Sequence, residues 1–176
     1  MDEAPLERTD YGMAPAAEGW FVVNVADAAW VTNDKFGAAC VFEGDAVSFP
    51  QVGYTLAVLA PGQSNGLYHR EDDQEDFLVL FGECVAIIEG QERPLRAWDF
   101  LHCPPGTEHI FVGAGSGPCV IFMAGARAHR GSATYPRSEV ALRHGAGVEA
   151  PSSEPYAPFP KWRSGPPATF AGLPFG

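Results

Sequence analysis

Between Gly66 and Gly82 the chain reads GLYHREDDQEDFLVLFG, and this stretch sets an imidazole and two carboxylates beside an apolar strand. Side chains two apart in a strand point to the same face, so His69 and Glu71 are predicted to project together. Glu75 follows an acidic turn, and behind it an apolar set recurs with period two: Phe77, Val79 and Phe81. Two carboxylates and an imidazole inside a protein cost free energy unless a cation lies between them. The stretch therefore predicts a metal site.

A second stretch, from Trp98 to His109, reads WDFLHCPPGTEH and contributes His109 as a further imidazole. Beyond it lies the glycine-rich run Gly113–Gly117, whose composition is similar to that of a phosphate-binding loop. Such loops need a following helix and a lysine, whereas Pro118 and an apolar strand follow here. The run therefore predicts a hairpin turn between two strands.

Short apolar segments separated by glycine, proline and acidic turns fill residues 20–128. Clear examples are Val52–Leu59 and the longer run Phe77–Ile88, in which Gly82 predicts a bend. Many short strands with hardly any helix favour an all-β domain, built as an antiparallel barrel or a double-sheet roll.

The two ends of the chain differ in composition from this central part. Residues 1–19 are rich in alanine, proline and charge, and they predict a flexible N-terminal arm. Residues 129–176 predict a short helix, Ser138–His144 with Ser138 as its N-cap, and then an extended tail rich in proline and aromatics. We expect the tail aromatics to pack along the barrel or a neighbouring subunit: Tyr156, Phe159, Trp162, Phe170 and Phe175. Exposed strand edges together with such a tail favour a homodimer.

Composition and charge limit the classes of partner. The 176 residues carry a formal net charge of −11, so nucleic acid and anionic membrane surfaces are not expected to bind. The N-terminus has no apolar leader and no apolar run approaches a membrane-spanning length, which predicts a cytoplasmic protein. The four cysteines form no CxxC pair and are predicted to be small buried apolar residues: Cys40, Cys84, Cys103 and Cys119.

Together the two stretches resemble the motifs of the cupin family over roughly residues 52–124. The first motif has His-x-His, then a Glu and later a Gly, and here it reads His69-Arg-Glu71, three residues, Glu75, six residues, Gly82. The second motif has a Pro-x-Gly before its histidine, as in PPGTEH ending at His109. Two departures are Glu71, in place of the second histidine, and Trp98, where a glycine is usual.

The resemblance implies a double-stranded β-helix, the cupin or jelly-roll barrel, with His69, Glu75 and His109 as metal ligands and Glu71 in the fourth position. Two histidines and one carboxylate form the arrangement suited to Fe(II), which leaves positions open for substrate or oxygen. An added Glu71 oxygen shifts the preference toward Mn(II), with Zn(II) and Ni(II) as further choices. The implied cofactor is a divalent transition metal among these four.

Two functions are consistent with these features. The first is a metal-dependent enzyme of oxygenase or isomerase type, acting on a small oxygen-bearing organic substrate, with Glu71 as a general base if it is not a ligand. The alternative is a non-catalytic cupin that binds or senses a metal or small ligand. In either case the partner is a small molecule, in a cavity kept apolar by Phe77, Val79, Phe100 and Phe111.

Several polar residues near the motifs have simpler interpretations. Asp72, Asp73 and Asp76 are predicted as a solvated acidic turn. Glu71 could pair with Arg70 instead of a metal. The histidines outside the two motifs, His129 and His144, show no pattern of partners.

Overall fold

The computed structural model describes residues 1–166 and 173–174, and their regular structure is almost entirely β. One short helix is present among these residues, α1 at Glu139–Arg143. The strands in chain order are β1 Leu6–Thr9, β2 Gly12–Pro15, β3 Ala29–Asn33, β4 Gly37–Val41, β5 Val52–Leu59, β6 Glu75–Phe81, β7 Glu83–Ile88, β8 Gln91–Arg96, β9 Phe100–Cys103, β10 His109–Ala114, β11 Cys119–Ala126 and β12 Arg163–Ser164. The predicted all-β fold is confirmed.

Two sheets enclose the main core. A seven-stranded sheet runs in the order β12-β3-β4-β5-β11-β6-β9, and a three-stranded sheet runs β10-β7-β8, with every pairing antiparallel. Side chains of both sheets meet between them, because alternate residues of each strand face inward. This core contains Leu59, Phe77, Val79, Cys84, Ala86, Cys103, Phe111, Cys119 and Ile121. The arrangement is the double-stranded β-helix predicted from the sequence.

Gly82 separates β6 from β7 and directs them into different sheets. Its φ of +70° lies in the left-handed region that favours glycine, and a Cβ there would lie 2.3 Å from the carbonyl oxygen of Pro118. The bend predicted within Phe77–Ile88 is therefore confirmed, and it is also the point where the chain crosses between sheets.

The glycine-rich run Gly113–Gly117 does not form the predicted hairpin. It joins β10 to β11, and β10 pairs with β7 whereas β11 pairs with β5 and β6. The connection is thus an arch between the two sheets. Turn composition indicates where the chain reverses, but the strand partners depend on pairing with distant segments.

Residues 1–19, predicted as a flexible arm, contain a β-hairpin formed by β1 and β2. Backbone bonds attach it to the following chain, from Met13 N to Asp27 O at 2.8 Å and from Trp30 N to Tyr11 O at 2.7 Å. Gly12 allows this close approach, since a Cβ there would lie 2.1 Å from the Ala28 carbonyl oxygen. Composition alone missed these long-range backbone bonds.

The C-terminal part packs on the same chain. Helix α1 begins after the predicted cap Ser138, whose hydroxyl accepts from Ala141 N at 3.3 Å. In the tail, three aromatic rings surround the buried Phe36 at centroid distances of 5.4, 5.1 and 6.3 Å: Tyr156, Phe159 and Trp162. Phe170 and Phe175 lie outside the described residues.

All four cysteines are free and buried, as predicted, and burial raises the pKa of the Cys40 and Cys103 thiols to about 12. Their thiols are therefore poorly suited to bind a metal as thiolates.

Within the described part of the chain, no helix has the length and apolar character needed to cross a bilayer.

Candidate metal centre

Three of the four predicted ligands converge at one end of the barrel. One ligand atom from each of His69, Glu75 and His109 lies within 4.8 Å of the others. His109 Nε2 lies 3.4 Å from Glu75 Oε2, and the two imidazole rings are 4.9 Å apart between centroids. We call these three residues the His/Glu cluster.

The strand pattern explains why these side chains meet. Glu75 is the first residue of β6 and shares its inward face with Phe77, whose ring lies 5.1 Å from that of His109. His109 is the first residue of β10, and its backbone exchanges two hydrogen bonds with His69, at 2.8 and 3.2 Å. Two strand starts and one bridging segment thus bring distant parts of the sequence together.

Backbone carbonyls fix the tautomer of both histidines. His69 Nδ1 donates to Leu67 O at 2.8 Å, and His109 Nδ1 donates to Thr107 O at 3.0 Å. A carbonyl oxygen can only accept, so each Nδ1 carries the proton and each neutral ring has its lone pair at Nε2. Nδ1 bonds of this kind orient a histidine toward a metal.

Burial keeps both imidazoles in the neutral form that can bind a metal. It lowers the pKa of His109 to about 4, and the neighbouring His69 adds to the effect. The pKa of His69 is also lowered by burial, against the opposing influence of the Leu67 carbonyl and the Glu71 charge. Both rings are consequently available as ligands at neutral pH.

Glu75 experiences the opposite effect on its charged form. Burial raises its pKa to about 7, and the charges of Glu71 and Asp73 contribute in the same direction. Its carboxylate faces the Nε2 lone pair of His109, so two acceptor atoms point at each other. A divalent cation between them would stabilise the ionised Glu75 carboxylate and would accept a lone pair from each of the two facing atoms. The donor set of two imidazoles and one carboxylate fits a transition metal.

Glu71 lies beside the His/Glu cluster but outside it. It lines the same cavity, and its charge acts on His69 and Glu75, yet its carboxylate is not among the three converging groups. The alternative partner, Arg70, donates to Thr134 Oγ1 at 3.1 Å, and no ion pair joins it to Glu71 in the described residues. Coordination by Glu71 therefore stays a prediction.

The acidic turn after Glu71 is only partly solvated. Asp73 is buried, and its two oxygens accept from His129 N at 2.7 Å and from His129 Nδ1 at 3.0 Å. Asp76 accepts from His102 Nδ1 at 2.6 Å. The prediction of a solvated turn is thus wrong for Asp73, because a partner 56 residues away replaces its water.

The cavity above the cluster has a volume of about 340 Å³. Its walls include the apolar side chains of Phe77 and Met123 and the polar side chains of Asn65, Arg127 and Arg130. Of these five residues, only Phe77 was predicted from the sequence to line the cavity, since the other four come from separate elements. The expectation for Phe100 is wrong: on the edge strand β9 it points outward and is 64% exposed.

A larger groove of about 630 Å³ lies between the N-terminal hairpin and the seven-stranded sheet. Its walls include Tyr11, Trp30 and Glu43, and it contains none of the cluster residues. The smaller cavity is the candidate site, because the His/Glu cluster lies there.

Two tyrosines support the segment that carries His69, and the sequence analysis did not assign them to the site. The Tyr156 hydroxyl accepts from Leu67 N at 3.2 Å, next to the carbonyl that fixes His69. The Tyr135 ring lies 6.0 Å from His69 and 5.8 Å from Tyr156. The C-terminal tail is therefore connected to the end of the barrel that carries the His/Glu cluster.

Comparison with known proteins gives one family match. The family described as Cupin domain matches residues 55–125, which include all three cluster residues. No curated protein matches the chain in sequence.

Solved structures similar to this chain include three of interest. A sugar phosphate isomerase of the cupin superfamily from Silicibacter pomeroyi is 29% identical, over 52% of this chain and 59% of that one, with a TM-score of 0.46. A Klebsiella pneumoniae protein with a double-stranded β-helix domain is 22% identical, over 48% and 75%, with a TM-score of 0.45. A polyketide cyclase from Streptomyces resistomycificus is 15% identical, over 55% and 68%, with a TM-score of 0.47. The match thus spans little more than half of the Silicibacter protein's length.

Proposed function

Since residues 55–125 of this chain match the Cupin domain family, we propose that the protein is a metal-dependent enzyme acting on a small oxygen-bearing organic substrate. The observation that carries the proposal is the contact between His109 Nε2 and Glu75 Oε2, 3.4 Å apart, inside a cavity. The buried His109 and the half-buried Glu75, with His69 beside them, form a ligand set suited to a divalent cation.

The metal would be held by Nε2 of His69, Nε2 of His109 and the carboxylate of Glu75. When bound, a divalent transition metal supplies Lewis acidity toward a substrate oxygen or, as Fe(II), redox chemistry with dioxygen. The protein contributes the fixed tautomers, through the carbonyls of Leu67 and Thr107. It also contributes one apolar part of the cavity wall, through Phe77.

Glu71 would act as the general base. It lies in the same cavity without belonging to the His/Glu cluster, so its carboxylate can remain free to accept a proton. In an isomerase-type reaction, a proton leaves the carbon next to a substrate carbonyl and moves to the Glu71 carboxylate. After partial exchange with solvent, a proton then moves from Glu71 to the former carbonyl carbon, while the proton of the hydroxyl on the first carbon passes to the former carbonyl oxygen, so the carbonyl and hydroxyl groups exchange places with no net change in atoms or charge.

An oxygenase-type reaction is the second candidate, and the donor set itself favours it. Two histidines and one carboxylate are the ligands of many Fe(II) sites that use dioxygen. The two chemistries make different demands on Glu71, because proton transfer requires it as a base whereas dioxygen chemistry does not.

The first test is metal analysis of protein purified without added metal. We expect about one divalent transition metal per chain, as the three-residue ligand set requires. His102 is a matched control, since it is half-exposed and bonded to Asp76 outside the cluster; His102→Ala should keep the metal. Absence of metal, together with no rise in melting temperature on adding Fe(II), Mn(II), Zn(II) or Ni(II), would contradict the proposal.

The second test separates catalysis from simple binding. The metal-loaded protein is screened with small carbonyl, sugar and phenolic compounds, and solvent-deuterium incorporation and oxygen uptake are both measured. Deuterium incorporation that Glu71→Gln abolishes supports the isomerase-type reaction, and oxygen uptake supports the oxygenase. Compounds that raise the melting temperature without either signal would favour a binding or sensing protein.

A further inference from the structure

Residues 127–134 form part of the cavity mouth, and hydrogen bonds hold this segment in place on both sides of Arg130. On one side, His129 donates two hydrogen bonds to Asp73. On the other side, Ser132 Oγ accepts from Asp72 N at 2.9 Å, and Thr134 exchanges backbone bonds of 3.0 and 2.9 Å with Arg70. Both fastenings join it to the turn that links His69 to Glu75. We call residues 127–134 the mouth segment.

Two arginines of the mouth segment line the cavity, and they differ in their partners. Arg127 donates from both terminal nitrogens to the carboxylate of Glu43 at 2.7 Å, and also to Phe49 O at 2.8 Å. Arg130 is exposed and makes no hydrogen bond or ion pair within the described residues. The charge of Arg127 is therefore balanced by Glu43, whereas the guanidinium of Arg130 remains available to a ligand.

The formal charges of the cavity indicate which ligand would suit it. A divalent metal with neutral His69 and His109 and ionised Glu75 carries one net positive charge, which Glu71 balances. Arg130 is then the arginine of the cavity wall whose charge acts on Glu43 but which no carboxylate pairs with directly within the described residues. A ligand with one anionic group complements this charge, and a guanidinium pairs with two oxygens of a carboxylate or phosphate at once.

We propose that Arg130 determines substrate specificity by binding an oxyanion group, carboxylate or phosphate, of a small ligand whose opposite oxygen faces the His/Glu cluster. The inference rests on the proposed metal-dependent function and names its substrate class. A cavity of about 340 Å³ is near the small end of ligand sites, so it suits a short-chain acid or phosphate. The fastened backbone at His129 and Ser132 holds Arg130 at the mouth.

The test is calorimetric titration of Mn(II)-loaded protein with glycolate, with phosphoglycolate and with ethylene glycol as the neutral counterpart of glycolate. We expect one of the two oxyanions to bind at least about tenfold more tightly than ethylene glycol. Ethylene glycol cannot form the charge-assisted pair with Arg130, and the loss of one such pair corresponds to about that factor. Whichever oxyanion binds more tightly identifies the group, carboxylate or phosphate. Arg130→Gln should weaken its binding about tenfold, and Arg130→Lys should retain part of the affinity.

The controls separate this inference from the metal site itself. Arg93→Gln removes an exposed arginine of β8 whose partners are Glu92 O and Gln91, and it should leave oxyanion affinity unchanged. Metal content is measured for every variant. With full metal content, either of two results overturns the role of Arg130 alone. One is that Arg130→Gln binds the oxyanion as tightly as the unaltered protein does. The other is that the unaltered protein binds neither oxyanion more tightly than ethylene glycol. Loss of metal from the unaltered protein overturns the proposed function and this inference together.

Discussion

The cavity has a base and a mouth that are constructed differently. At the base, Glu75 and His109 begin two strands in separate sheets, and backbone carbonyls fix the histidine tautomers. At the mouth, Arg127 and Arg130 belong to an irregular segment held by side-chain and backbone bonds to the preceding turn. The difference matches the roles proposed above, because strands hold the His/Glu cluster rigidly whereas the attached segment could vary the ligand without disturbing it.

The change with the largest expected effect removes a ligand at the base. His109→Ala should weaken binding of Mn(II) or Zn(II) by more than about 100-fold, because a residue that binds the metal directly is lost. Loss of a residue that only hydrogen-bonds to a ligand typically weakens metal binding about tenfold to 100-fold. The measurement is metal content by elemental analysis with a melting curve in added metal. His144→Ala, whose ring instead contacts Glu92 at 2.9 Å, is the control. A fully metallated His109→Ala would show that the base is not the metal site.

A smaller effect is expected for the residue between base and mouth. Glu71→Gln should lower metal affinity by about tenfold or less, since Glu71 lies outside the cluster, while abolishing any proton-transfer activity. Metal titration and deuterium incorporation are compared in the same preparation. A loss of metal equal to that of His109→Ala would assign Glu71 as a full ligand and remove it from the role of base.

At the mouth, the partner of Arg127 offers a test that depends on pH. The Arg127 hydrogen bonds lower the pKa of Glu43 below its usual value, against the effect of burial. This pair should therefore stabilise the protein above the unfolded-state pKa of Glu43, about 4.3, and the contribution should disappear as the pH falls through the lower folded-state pKa.

Glu43→Gln should reduce the free energy of unfolding at pH 7 by about 1–2 kcal/mol and make its acid dependence shallower. Urea unfolding at pH 7 and at pH 3 measures both effects, with metal content as the check that the base is intact. Glu3→Gln is the control, because Glu3 is exposed and its side chain makes no hydrogen bond or ion pair within the described residues. Equal losses at the two pH values would mean that the ionic part of the pair contributes nothing.

The smallest effect is expected away from both base and mouth, at Trp98. This residue occupies a position where the cupin motif usually has glycine, and its φ of +76° is strained for a tryptophan that is 74% exposed. Trp98→Gly should relieve the backbone strain, whereas the greater freedom of glycine in the unfolded chain opposes folding. The net result should be a fold more stable by about 0.5 kcal/mol. Trp98→Ala, which keeps the strain, is the control in thermal unfolding. A destabilised Trp98→Gly variant would show that the exposed ring makes contacts of its own.

The base was largely predictable from sequence, and the mouth was not. The resemblance to the cupin motifs indicated Glu75 and His109 as ligands, and Glu75 precedes the predicted strand Phe77–Ile88 in phase with its alternating apolar residues. The mouth depends on Asp73 binding His129, a contact between distant residues for which a single sequence has no periodic signal. Asp73 therefore resembled an ordinary solvated acid.

The ends of the chain show the same limit. The hairpin of residues 1–19 depends on backbone bonds to Asp27 and Trp30, which composition does not record. The tail aromatics that favoured a homodimer pack around Phe36 of the same chain. The homodimer stays a prediction, now supported mainly by the exposed edge of β9 at Phe100.

The crossing at Gly82 also bears on how the protein folds. Because β6 and β7 leave Gly82 for different sheets, Glu75 and His109 become neighbours only after distant strands have paired and the barrel has closed. Pairing between distant segments is slow, since loop entropy is lost before contacts form. An ion held by His69, Glu75 and His109 would bind the native state far more strongly than any intermediate. Metal capture would then report the last step of folding, and its rate would follow barrel closure.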